Sequence, residues 1–164
     1  MPRAAARTSR AKSTSRRSNT NVITMLTEDH AKVRKMFKQF EKSKDDEDDA
    51  AKAALVSEIC TELKLHTQIE EECFYPAARE ALEEQDLLDE AEVEHATAKE
   101  LISQLESMQP GDELYDAKVT VLGEYVEHHA KEEEKEMFPK VRKAKLDLDA
   151  LAEEMSQIRS RAMQ

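Results

Sequence analysis

The sequence predicts an all-α protein: an up-down-up-down four-helix bundle, preceded by a basic tail and followed by one extra helix. Three observations carry that prediction. Two glycines, no tryptophan and 37% charged residues among 164 suit long helices with polar faces better than a sheet. Apolar residues recur in steps of three and four through five separate stretches, the period of a helix buried on one face. Finally, the chain repeats itself. His66 to Pro76 (HTQIEEECFYP) returns 63 residues later as His129 to Pro139 (HAKEEEKEMFP), and both copies continue as Pro-x-x-Arg-x-Ala.

Residues 1–20 read as a disordered basic tail. The first 18 carry Arg3, Arg7, Arg10, Lys12, Arg16 and Arg17 and no acid, a charge of +6 that leaves −17 for the remainder of a chain whose net charge is −11. With so few large apolar groups the tail cannot bury enough surface to fold alone. Residues 21–144 form the bundle. Its first helix runs from near Asn21 to near Lys42 with Ile23, Leu26, His30, Val33, Phe37 and Phe40 on one stripe. The acidic linker 44–49 leads to a second helix carrying Leu55, Ile59, Leu63, His66, Glu70, Cys73 and Ala77 inward. Pro76 cannot donate a helical hydrogen bond, so the helix should kink or end just past Glu70, and Pro139 repeats the effect. The third helix begins after Gln85 and Asp86 and aligns Leu88, Ala91, His95, Ala98, Ile102 and Leu105. Pro110-Gly111 makes the next turn. The fourth helix sets Tyr115, Leu122, Val126, His129, Glu133 and Met137 on one face, with Glu132, Glu134 and Glu136 facing out. Residues 145–164 give the extra helix, whose Leu148, Leu151, Met155 and Ile158 cap the bundle or dock on a partner chain, capping being the commoner arrangement.

Each repeat is a candidate metal-binding unit. Residues i and i+4 lie one above the other on a helix, so His66 with Glu70, and His129 with Glu133, can present a nitrogen and a carboxylate to one point. Each pair also has an upstream partner, His30 lying 36 residues before His66 and His95 lying 34 before His129. A carboxylate on a buried stripe is costly without a counter-charge, so an inward Glu beside an inward His asks for a cation. Four imidazoles and two carboxylates are too many donors for one structural zinc and too rich in nitrogen for calcium or magnesium. The set suits iron foremost, with zinc, manganese and copper as alternatives. A pair of metals uses it most economically: bridging carboxylates would give each metal two imidazoles and two oxygens, and an oxo or hydroxo bridge would leave about one open position on each.

These residues resemble the hemerythrin-like family, also described as HHE cation-binding domains, over roughly residues 21–144. The resemblance implies a four-helix bundle with a non-haem di-iron centre held by His30, His66, Glu70, His95, His129 and Glu133. Oxygen-carrying members usually have a second His four residues after the first on the third helix, where this chain has Lys99. Their last carboxylate is an Asp five residues after its His, where this chain offers Glu133 at four. The donor set is thus more symmetrical and one imidazole poorer than an oxygen carrier's.

The expected function is binding of dioxygen or a related small oxidant such as peroxide at a di-iron centre, in sensing, iron handling or oxidative defence. The alternative is a di-iron enzyme that disproportionates peroxide, or oxidises or rearranges a small organic substrate. Tyr75, Tyr125, His128 and Lys99 are nearby in sequence as acids or bases for such chemistry, although His128, about 100° round the helix from His129, reads first as a surface residue. No Gly-rich phosphate loop, nucleophile elbow or dinucleotide fingerprint supports another enzyme class. No stretch reaches the ~20 apolar residues of a membrane span, and Cys60 and Cys73, about 20 Å apart on one helix, cannot pair. A cytoplasmic protein is expected, with nucleic acid an unlikely partner because the body is acidic.

Overall fold

A computed structural model describes residues 21–164; the predicted basic tail lies outside the described residues. The described chain is entirely helical: α1 (Val22–Ser43), α2 (Asp49–Ile69), α3 (Tyr75–Ala81), α4 (Asp86–Glu106), α5 (Tyr115–Glu132), α6 (Phe138–Lys143) and α7 (Leu148–Ala162). Two π-helical turns, Glu70–Phe74 and Glu133–Met137, join α2 to α3 and α5 to α6, so the seven segments make five rods. Short side chains start three of them. The carboxamide oxygen of Asn21 and the carboxylates of Asp48 and Asp147 accept the free backbone N–H groups of Thr24, Ala51 and Ala150, each at 3.0 Å.

α1 packs on α2 and α5, and α4 packs on the same two helices, which closes a square of four rods. Two apolar clusters fill it. One gathers Val33, Phe40, Ile59, Leu63, Ile102 and Leu122 towards the α1–α2 and α4–α5 connections. The other gathers Leu26, Ile69, Phe74, Leu88 and Phe138 at the opposite end. Between them lies a polar belt, since His30 falls between Leu26 and Val33 on the stripe of α1, and His66 between Leu63 and Ile69 on that of α2. Among the described residues no helix is long and apolar enough to cross a membrane.

The prolines neither end nor simply kink their rods. In each repeat the turn before the proline widens by one residue, with the Tyr75 N–H donating to the Glu70 carbonyl and the Phe138 N–H to the Glu133 carbonyl. Residues five apart on an α-helix are about 140° apart, whereas hydrogen bonds from i to i+5 bring them nearly into line. The inward register therefore slips by one residue. Ala78, not the expected Ala77, is buried, and Tyr75 turns inward beside Glu70.

α7 caps the bundle. It packs against α1, α2 and the first π turn, and Ala152, Met155 and Ile158 complete the apolar cluster at that end. Met155 is fully buried, so Met155→Ala is expected to cost about 2–5 kcal/mol of folding free energy. Urea denaturation monitored by helical circular dichroism would measure the loss; a helix held only loosely against the bundle would show almost none.

Candidate metal centre

The polar belt collects side chains from all four rods. The six sequence-predicted residues, His30, His66, Glu70, His95, His129 and Glu133, converge there, and both carboxylates are essentially without solvent exposure. Their donor atoms form two groups. His30, His66, Glu70 and Glu133 offer one set of atoms within 4.8 Å of one another, and Glu70, His95 and His129 offer a second. Each group takes both imidazoles from one repeat. Glu70 belongs to both, and Glu133 Oε1 lies 3.3 Å from His30 Nε2 and 3.0 Å from His129 Nε2.

The donors fit a pair of cations better than they fit one another. His30 Nε2, His66 Nε2, both oxygens of Glu70 and Oε1 of Glu133 are buried without a hydrogen-bond partner. His95 Nε2 and His129 Nε2 face each other at 3.1 Å, where two lone pairs need a proton or a metal between them. Without a cation, protons take that role. Burial alone would lower the His66 imidazole, but the charge of Glu70 and the hydrogen bond to Asp29 outweigh it and raise it to about 10. His129 is raised to about 11 against the same penalty, chiefly by Glu133. Glu70 is held well below the ordinary carboxylate range: burial pushes it up, and the charge of His66, foremost, more than reverses that.

Outside the donors stands a ring of carboxylates that orients the imidazoles. His66 Nδ1 donates to Asp29 at 3.0 Å, His30 Nδ1 to Glu134 at 2.9 Å and His129 Nδ1 to Glu94 at 3.3 Å. Such bonds fix which ring nitrogen is left free for a metal and raise its basicity. Glu134 had been expected on the outer face; it is half-buried because Arg34, one turn beyond His30, draws it in at 2.9 Å. The acid before each upstream His, in Asp29-His30-Ala31 and Glu94-His95-Ala96, is a part of the repeat that the i,i+4 pattern does not capture. Lys99 lies outside the belt, paired with Glu71 at 2.6 Å, and His128 is exposed.

Tyr75 is the residue that α-helical spacing missed. Carried inward by the π turn, its hydroxyl lies 3.2 Å from His95 Nε2 and 3.0 Å from His129 Nε2 and donates to Glu133 Oε2 at 3.2 Å. Its counterpart before the second proline is Phe138, which stacks on His30 with a centroid separation of 6.0 Å. One donor group thus has a phenol and the other a bare ring.

The sequence profile of the hemerythrin HHE cation-binding domain matches residues 21–141. The chain belongs to that family. Its fold is similar to the crystal structure of a hemerythrin HHE cation-binding domain-containing protein from Mycobacterium kansasii, with 25% identity, a TM-score of 0.73 and 88% of each chain covered. No curated protein matches the chain.

Two outcomes follow for this cation-binding domain. Asp29→Ala, which removes the acceptor that orients His66, is expected to weaken metal retention roughly 10–100-fold in a competition against a chelator. Protons compete for His66 and His129, whose imidazolium forms persist well above neutrality in the cation-free site. Metal binding should therefore release protons and tighten as pH rises from about 6 to about 8, as calorimetry in buffers of different ionisation enthalpy would show. A pH-independent affinity would exclude that competition.

Proposed function

We propose that the chain is a non-haem di-iron protein that binds dioxygen or a related small oxidant such as peroxide. His30 and His66 would hold one iron, His95 and His129 the other, with Glu70 and Glu133 between them and Tyr75 as a further donor on the second side. Imidazole, carboxylate and phenol together favour iron over the hard, oxygen-preferring cations. Iron supplies the electrons and the open coordination positions at which a small oxidant can bind.

The observation that carries this reading is the size of the space beside the donors. A cavity of about 30 Å³ touches His30, His66, His95 and His129, and Val33, Leu63, Ala98 and Val126 contribute apolar walls. A water-sized probe needs roughly 10–15 Å³, so a two-atom oxidant fits. Organic ligands generally occupy clefts of about 300 Å³ or more, which weighs against oxidation or rearrangement of an organic substrate. The apolar walls lower the local dielectric, so the charge of the donors acts with less screening there than in bulk water.

Tyr75 favours turnover of peroxide over reversible carriage of dioxygen. Burial, followed by the charges of Glu133 and Glu70, holds its hydroxyl well above the usual phenol range, so in the cation-free site it stays protonated and donates to Glu133. A trivalent cation would displace that proton, and the resulting hard anionic donor stabilises the oxidised state of the metal. A carrier must instead keep returning to the reduced state. Two buried free thiols accord with a reducing, cytoplasmic setting: burial pushes Cys60 up to about 11 and Cys73 to about 12, so neither is reactive.

The decisive experiment is metal analysis of the purified protein with absorption spectra recorded after anaerobic reduction and again after admitting air. About two irons per chain and an air-dependent near-ultraviolet band are expected, with a visible phenolate-to-iron band that Tyr75→Phe abolishes. Zinc alone, or no response to air, would overturn the proposal. Peroxide decay should follow the iron content and fall in Tyr75→Phe, whereas a pure dioxygen binder would show little decay in either protein.

A further inference from the structure

The repeat makes the two halves of the belt nearly equivalent, and one difference stands out. In the first half, Asp29 holds His66 and is covered on its outer side by the guanidinium of Arg159, which α7 brings down onto it. In the second half, Glu94 holds His129 through Oε1 at 3.3 Å, and among the described residues no arginine or lysine pairs with it. Glu94 Oε2 is buried and has no hydrogen-bond partner. It looks towards His128 Nε2 at 3.9 Å, and that nitrogen lies 3.2 Å from Glu132 Oε1. His128 and Glu132 are one helical turn apart on α5, the same chelating spacing as the pairs inside, but on the outer face. One ligand atom from each of Glu94, His128 and Glu132 lies within 4.8 Å of the other two, so a single cation could touch all three.

The surroundings suit entry of a cation. The three residues lie in a surface groove that also carries Glu90, which adds negative charge, and Asp89, which pairs with Arg79 at 3.0 Å. Glu94 and Tyr125 line both this groove and the inner cavity, so they form the wall between solvent and the donors. His129, behind that wall, is the most exposed of the six belt residues, at 11%. Glu94 thus has one oxygen on an inner imidazole and the other facing the groove.

We propose that Glu94, His128 and Glu132 form an outer divalent-cation site through which metal enters and leaves the buried centre, with Glu94 passing the ion to the His129 side. Two carboxylates and one imidazole on a half-open surface hold a divalent ion weakly enough to release it. The four-imidazole centre inside is the stronger sink. The covered half has no matching route, because Arg159 puts a fixed positive charge where an ion would need to pass. This proposal rests on the di-iron reading for what lies inside, but the outer site can be scored independently.

The test uses the iron-loaded protein and the double variant His128→Ala/Glu132→Gln, which alters no residue of the belt. Titration with Co²⁺ should give one additional equivalent per chain with a visible spectrum, weakened at least about tenfold in the variant. Iron release to a chelator should slow by about tenfold in the variant while its starting iron content and melting temperature stay at wild-type values, because release retraces the entry route. An additional equivalent that survives in the variant, or release at the wild-type rate, overturns the outer site. Wild-type protein without two inner irons overturns the di-iron reading instead, whatever the cobalt titration shows.

Discussion

Two carboxylates, Glu70 and Glu133, are buried at mid-height between two apolar clusters, and the rest of the structure answers that constraint. An ionised carboxylate in such a place is costly unless positive charge lies against it. Four imidazoles, one from each of the four bundle rods, surround the pair, and the outer nitrogens of three of them meet Asp29, Glu134 and Glu94. Arg159 and Arg34 then neutralise the first two of those acids from outside. Charge alternates in shells from the axis to the surface. In such an arrangement a central cation relieves repulsion among the donors without demanding any new counter-charge from the protein.

The near two-fold symmetry of the repeat makes its departures informative. His30 and His95 are each followed one turn later by a basic residue, Arg34 or Lys99, that pairs with an acid of the opposite repeat, Glu134 or Glu71. Glu71, paired with Lys99, makes no bond to His95, whose Nδ1 is buried without a partner, whereas Glu134 is drawn in far enough to hold His30. Tyr75 opposite Phe138 adds an oxygen to one donor group only, and Arg159 closes one side of the belt only. All three differences distinguish the His95/His129 side, which has the phenol, the unheld imidazole and the open groove. Two structurally similar halves are therefore chemically unequal.

α7 links stability to the site. Its apolar face finishes the cluster beneath the belt, and the same helix carries Arg159 to Asp29. Burial favours the Asp29 carboxyl in its neutral form, yet its hydrogen bond and charge interaction with His66, reinforced by Arg159, hold it below its ordinary value. The carboxylate therefore remains an acceptor for His66, and packing at the end of the bundle helps to set the orientation of an imidazole near its centre.

Much of this was legible in the chain itself. A three-and-four apolar period defines helix faces, and a His inside such a stripe with Glu one turn later must share the face with it, so the all-helical fold and the convergence of His30, His66, Glu70, His95, His129 and Glu133 follow from local geometry. The π turns do not, because a one-residue widening leaves no mark on an α-helical period beyond the proline that follows it. Tyr75 was accordingly a candidate by nearness in sequence alone, and its inward placement, like that of Ala78, came only with the backbone. Glu134 turns inward only because Arg34, 100 residues away, meets it there, and Asp29 is covered only because α7 folds back over 130 residues of chain. Periodicity along a single helix decided which donors point inward. Which acids orient them, where a phenol joins them and which side stays open depended on contacts between residues far apart in sequence, and those only the tertiary structure decides.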